Sequence, residues 1–352
     1  MRSIGLKTLM GAAAVALTAG GAQAGAIAAN PNPISFDSGF GKITVTGQVS
    51  GLAYYQSDAT HLTPGDASGY LDIDNALITV AKSDGMFQFV VQAGLYSFPT
   101  VGYPYDKAND ANSYLGPVPV AYAKVQLTDE FSVSAGKLPT LVGAELAFTP
   151  QNINIERGLL WWQEPISSRG VQANYTSGPF SLAVSWNDGY YTNVWNTFSA
   201  LASYAIDSSN TIAFDVSATP DYMGNSAHQI YDLMYTFTQD ALTFGPYAQY
   251  ESVSHGGGDE WGIGVLASYQ LAPEWSLNGR FEYEATNSGG LLAYGPNSKA
   301  WSLTVTPTWQ RGLFFARGEL SYTGLADQTF GFGSALNKDN QFRAMFETGI
   351  VL

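Results

Sequence analysis

Sixteen segments of this chain alternate apolar and polar side chains at period two, and the connections between them sort by length. Alternation at that period marks strands with one apolar and one polar face. In "WSLTVTPTW", Trp301, Leu303, Val305, Pro307 and Trp309 fall on one side and Ser302, Thr304, Thr306 and Thr308 on the other. "WSLNGRFEY" sets Trp275, Leu277, Gly279, Phe281 and Tyr283 against Ser276, Asn278, Arg280 and Glu282, and "YDLMYTF" repeats the pattern through Tyr231, Leu233, Tyr235 and Phe237. The segments start near residues 42, 70, 86, 117, 130, 168, 179, 197, 210, 229, 240, 260, 274, 299, 312 and 341. In "LDIDNALITV" (71–80) the pattern leaves the faces ambiguous.

The links after even-numbered strands are tight: "KSDG", "TDE", "TSGP", "DSSN", "TQD", "LAPE" and "QRG". Those after odd-numbered strands are long, at 56–69, 97–116, 139–167, 188–196, 220–228, 251–259, 285–298 and 322–340. Short turns on one side and long loops on the other is the layout of an outer-membrane barrel, and an even strand count returns both ends to the short-turn side. Strands of about ten residues are long enough to cross a hydrocarbon core when tilted. Aromatic residues gather toward both strand ends. Tyr54, Trp186, Tyr250, Trp261, Tyr283, Trp301 and Tyr322 lie toward the long loops, and Phe131, Phe180, Tyr204, Phe237, Phe244, Tyr269, Trp275 and Trp309 toward the turns. Amphipathic rings prefer the headgroup level, so two such girdles fit a lipid-facing wall. A secreted β-sandwich also alternates, but its strands are usually shorter and its connections are not sorted in this way.

The N-terminus fits that destination. Arg2 and Lys7 precede the apolar run "LMGAAAVALTAGGA" and the small-residue pattern Ala22-Gln23-Ala24, which read as a signal peptide over residues 1–24. Its loss takes the formal charge from −14 to −16, with 13 basic residues against 29 acidic ones. That balance argues against nucleic acid as a partner. The chain has no cysteine, which excludes disulfides and thiolate metal sites. No linker divides residues 25–352, so one domain is expected, with no helix of note.

The stretch 139–167 does not alternate. Loops beyond about 12–15 residues are uncommon and usually functional. Sixteen strands enclose an aqueous lumen, and this third long loop has the composition to fold into it and constrict it. Leu141, Leu146, Phe148, Ile153 and Ile155 are suited to pack on the wall, with Glu145, Gln151, Asn152, Asn154, Glu156 and Arg157 facing water and Trp161-Trp162 anchoring the return at the rim. The alternative is an outward lobe or interface loop.

Polar-face parity places Arg280, Glu282, Arg317, Glu319, Arg343 and Glu347 in the lumen, with Lys124 and Asp232 as further lining residues and Arg169 beside the loop's return. Wall arginines opposite Glu145 and Glu156 would set a transverse field across the bore. The bland alternative pairs each arginine with its neighbouring glutamate. His61, His228 and His255 fall in expected loops without metal-ligand spacing, and no Ser–His pair is placed for nucleophilic catalysis. Asp106, Asp110, Asp259 and Glu260 read as solvated loop acids, with divalent-cation or lipopolysaccharide bridging as the alternative.

The block "GKLPTLVGAE…NINIERGLL" (Gly136–Leu160) resembles the OmpL-like outer-membrane β-barrel porins. The resemblance implies a porin of a Gram-negative outer membrane, with no enzyme activity and no cofactor. It also implies lipid, lipopolysaccharide, the barrel-assembly machinery and periplasmic chaperones as partners, and a homotrimer as an open question. One departure is the ending "TGIVL", where Leu352 replaces a common terminal aromatic. The expected fold is therefore an all-β, antiparallel transmembrane β-barrel of about sixteen strands with short periplasmic turns, long extracellular loops and an inward-folded third loop. The expected role is passive diffusion of small hydrophilic solutes. The competing class is a plugged, non-conducting surface protein with a structural or adhesive role.

Overall fold

The computed structural model describes residues 26–60, 66–222, 226–255, 257–287 and 294–352; the expected signal peptide and His61 lie outside them. The strands are β1 (Ile34–Ser38), β2 (Gly41–Gln56), β3 (Gly69–Lys82), β4 (Phe87–Tyr96), β5 (Val120–Gln126) and β6 (Phe131–Pro139). They continue with β7 (Ser167–Ser177), β8 (Phe180–Asn187), β9 (Thr197–Ala205), β10 (Asn210–Thr219), β11 (His228–Gln239) and β12 (Leu242–Val253). The last five are β13 (Gly258–Ala272), β14 (Trp275–Thr286), β15 (Lys299–Arg311), β16 (Phe314–Ala326) and β17 (Asn340–Val351).

From β2 onward each strand pairs antiparallel with the next, and β17 closes on β2 from Arg343↔Gln56 to Val351↔Gln48. The result is a closed barrel of the sixteen strands β2–β17, and closure leaves no unpaired wall edge for lipid to meet. Leu352 extends the seam, donating to the Gly47 carbonyl at 2.7 Å and accepting from its N–H at 3.2 Å. Beyond the expected sixteen, β1 forms a hairpin with the start of β2, closed where the Ser38 hydroxyl donates to the Gly41 carbonyl. Five residues of alternation were too few to separate it from a loop.

The faces follow the alternation. Trp275, Leu277, Phe281, Trp301, Leu303 and Val305 are exposed on the outer wall, and Ser302, Thr304, Thr306 and Asn278 are buried inside. Tyr54 corrects one girdle assignment: it points inward and packs 4.7 Å from Tyr105, while its neighbour Tyr55 takes the outer position. The ambiguity over 71–80 is a β-bulge. Ser50 pairs with Asn75 and Gly51 with Ile73, so Asp74 is the extra residue and both Asp74 and Asn75 are buried.

The second long loop contains a helix that the alternation did not announce, α1 (Ala108–Leu115). Ala108, Ala111 and Leu115 form its buried face, and Tyr96 ties its end by donating to the Gly116 carbonyl at 2.7 Å. Two turns of small and polar residues give too weak a period to stand out.

Gly94 marks a tight point in the wall. Its φ of 142° disfavours a side chain, and an added Cβ would lie 1.9 Å from the Ala76 carbonyl oxygen across the β3–β4 pair. Gly94→Ala is therefore expected to lose about 1–3 kcal/mol, read as a lower urea midpoint for the heat-modifiable gel band. Gly318→Ala, where a Cβ meets nothing within 4 Å, should leave the midpoint unchanged.

Candidate functional site

The segment between β6 and β7 runs through the bore. It is knotted on itself by Asn152, whose amide accepts from the Leu146 N–H and donates to the Leu146 and Phe148 carbonyls at 2.7–3.0 Å. The Gln151 side chain accepts the Phe148 N–H at 3.2 Å. These local bonds satisfy backbone groups that a non-repetitive segment cannot pair with itself. A second long loop braces it, because Arg157 donates to the Pro99 carbonyl and accepts from the Val101 N–H.

The wall on β14–β17 grips the segment's main chain. Arg280 bonds Glu145 at 2.7 Å and the Glu156 carbonyl. Arg317 donates to the carbonyls of Thr149 (3.0 Å) and Asn152 (2.9 Å) and pairs with Glu347 at 2.9 Å. Arg343 donates to the Thr100 and Tyr103 carbonyls of the second long loop and pairs with the segment's Glu156 at 2.7 Å. The carboxylates take the complementary half. Glu319 accepts the N–H groups of Ile155 and Glu156, Glu282 those of Leu159 and Leu160, and Glu145 that of Gly158. Asn154 donates to Thr306 at 2.6 Å.

Apolar side chains hold the remaining arc. On β8–β13 the inward residues Ala183, Leu201, Ala213, Met234, Tyr247 and Leu266 form a band that receives Leu141, Ile153 and Leu160. Phe148 and Trp161 pack with Leu77, Tyr96 and Phe98, and Ile155 with Leu52, Tyr54 and Met345.

This arrangement brings most of the expected lining residues together, with a different task. Glu145, Asn152, Asn154, Glu156 and Arg157 do not face water; each is at most 3% exposed. They turn inward because the segment's own backbone and the wall arginines need their oxygens and nitrogens. Arg280, Arg317 and Arg343 likewise touch the segment directly, so the expected transverse field is a set of contact pairs. Arg280 and Arg317 are staggered, opposite Thr304 and Thr308 on β15. Lys124 stands apart, on the inner face of β5 and half-exposed, opposite Ser134. Asp232 is buried on β11 opposite Asp215. Arg169 pairs with Asp188 at 2.8 Å and lies over the Tyr191 ring, outside the central contacts. At the rim, Trp162 remains 43% exposed and stacks on Tyr103 at 4.4 Å, while Trp161 is buried.

Three expected loop residues, His228, Asp259 and Glu260, belong to strands, Asp259 accepting from Ser252 at 2.6 Å. His228 opens β11 and meets Glu251 on β12, and Glu260 points inward from β13 and meets Gln163. Asp106 stays in the second long loop, pushed up to about 6 by burial and by Asp110. His255 sits in a turn against Ser254. Among the described residues, no three His, Asp or Glu side chains converge as metal ligands. Composition reading passed over Glu164, Asp215, Glu251 and Glu284, all buried inward acids. Strand parity was the signal that could have found the last three.

The bore is not filled evenly. Between the two stems of the segment and the wall β7–β9 lies a small pocket with room for about one water molecule. Its lining includes Thr140, Ser168, Gln172, Ser185, Asn187 and Ser199, a surface of hydroxyls and amides without formal charge.

Residues 42–352 match the model of a family described as beta-barrel porin-2, OmpL-like. No curated protein sequence matches the chain. The fold is similar to an anion-selective porin from Comamonas acidovorans, at 11% identity and a TM-score of 0.66 over 88% of this chain and 99% of that one. It is also similar to the outer-membrane channel DcaP of Acinetobacter baumannii, at 12% identity and 0.60 over 90% and 99%. OmpT of Vibrio cholerae in its trimer form matches at 10% identity and 0.61 over 88% and 99%.

Proposed function

The chain belongs to the OmpL-like β-barrel porin family, and on that premise we infer that it carries small hydrophilic solutes passively across a bacterial outer membrane. The observation that carries this reading is the closed sixteen-stranded barrel with a polar inner face, Asn278, Ser302, Thr304 and Thr306 among its residues. The barrel provides the bore, the third loop narrows it, and the small pocket left beside β7–β9 has a lining without formal charge. Hydroxyl and amide groups replace part of a solute's hydration without holding it, which suits transit over storage. No reaction is assigned to the chain. The trimer form of a structural relative extends the proposal to a homotrimer in which each barrel conducts separately.

A second reading is favoured by one observation. The third loop touches the inner wall through four apolar clusters and the β14–β17 contacts, a packing that would also suit a plug. Single-channel recording of refolded protein in a planar bilayer separates the two. Small, steady ohmic steps are the expected result. Silence from protein that shows heat-modifiable gel mobility would move the assignment to a plugged barrel.

A further inference from the structure

Five consecutive strands turn carboxylates inward over one sector of the bore: Asp215 on β10, Asp232 on β11, Glu251 on β12, Glu260 on β13 and Glu284, two residues beyond the arginine-paired Glu282, on β14. Glu164, on the return of the third loop, faces them and accepts a hydrogen bond from Gln249 at 3.1 Å. The register makes them neighbours, since Asp215 pairs with Asp232 and Glu251 with Glu260. Like charges directly opposite are destabilising in a sheet.

Their polar demands are not met by the protein. Both carboxylate oxygens of Asp232 and both of Glu284 are buried without a hydrogen-bond partner, and so is one oxygen each of Glu164, Asp215, Glu251 and Glu260. Among the described residues no lysine or arginine pairs with any of the six; the one basic contact is His228 with Glu251. The bore arginines are committed elsewhere, to Glu145, Glu282, Glu347 and Glu156. The sector adjoins the pocket beside β7–β9, because Pro165 follows Glu164 and Ser199 bonds Ser217, one inward position from Asp215.

We propose that this sector binds small inorganic cations and gives the channel a cation preference. An ionised carboxylate in an enclosed space is costly unless a cation accompanies it. No three of them converge as a chelate, so each ion is held loosely by successive neighbours. Weak, multi-site binding is what permits an ion to leave as well as to enter. Lys124 is the inward cation nearest in kind, but it stands on β5, across the stems from this sector.

The inference rests on the channel reading, and one experiment tests both separately. Zero-current potentials are measured across a planar bilayer under a potassium chloride gradient, for the wild type and for a variant combining Asp215→Asn, Asp232→Asn, Glu251→Gln and Glu284→Gln. Asp232→Asn alone serves where the combined variant does not fold. The expected result is a cation-selective wild type whose cation-to-anion permeability ratio falls roughly fivefold in the combined variant, the effect of removing a charge a few ångströms from a hydrated ion. The single variant should fall in the same direction by less. Clear steps with an anion preference, or a preference unchanged by the substitutions, overturn the cation sector and leave the channel standing. Absence of steps in folded protein overturns both.

Discussion

Removal of Gly143–Ile155 is expected to raise single-channel conductance by roughly an order of magnitude, because an unfilled sixteen-stranded barrel encloses an aqueous channel. The deleted stretch carries Glu145, Phe148, Asn152, Ile153 and Ile155, and with them much of the contact to β2, β4 and β8–β17. Its loss strips Arg280 of Glu145 and Arg317 of three carbonyl partners. Truncating a partner of a buried charge usually costs several kcal/mol, but that cost assumes the space stays dry. Here water floods the vacated bore and solvates the arginines, so the wall should survive. The wall's own hydrogen bonds run between β2 and β17 without passing through the segment. The check is paired: step size in a planar bilayer, and heat-modifiable gel mobility as proof of a closed barrel. Unchanged step size in a closed barrel would show that the segment does not set the resistance.

The barrel was legible because its determinants are local. Alternation fixes which way each side chain points, and turn length fixes which end of the strand it is. Trp301, Leu303 and Val305 needed only their own sequence neighbours to be placed outside. Tyr54 was misplaced because aromatic identity was given more weight than parity, and Tyr55 beside it holds the outer position. The long third loop was visible as an apolar interruption of the alternation, and its neighbours in space were not. Nothing in sequence tells that the Asn152 amide closes onto Leu146, or that Arg317 reaches carbonyls 165 and 168 positions away. Composition also suggested the wrong partner for the loop's polar groups. Glu156 and Arg157 read as residues for water, yet a backbone without strand or helix must find its hydrogen bonds somewhere. In a narrow bore the nearest donors and acceptors are the wall's charged side chains.

That exchange of side-chain charge for backbone polarity makes Arg317 the residue whose loss should release the loop most selectively. Its guanidinium joins Glu347 on β17 to the carbonyls of Thr149, Asn152 and Asn154, all in a fully buried setting. Arg317→Met keeps much of the stem's volume and removes every one of those bonds. It leaves Glu347 as an uncompensated charge and the Asn152 and Asn154 carbonyls without a donor, while Thr149 keeps only the Asn152 N–H, a loss on the order of 3–5 kcal/mol in a dry site. The wall can spread little of this loss, because β16 stays paired with β15 and β17 through its backbone. The strain therefore falls on the segment, whose remaining hold is the Arg280 and Arg343 contacts and the apolar anchors Leu141, Ile153 and Leu160. Each such anchor is worth about 1.5–3 kcal/mol when fully buried, enough to keep the loop inside but not to keep it still. Arg317→Met is thus expected to give larger, flickering conductance steps and a new protease cut between Thr149 and Ile155, with unaltered heat-modifiable mobility. Arg317→Lys should recover only part of the steady behaviour, because an ammonium cannot reproduce the planar fork that serves Glu347 and the carbonyls together. Steady wild-type steps from Arg317→Met would mean that the apolar anchors alone fix the loop.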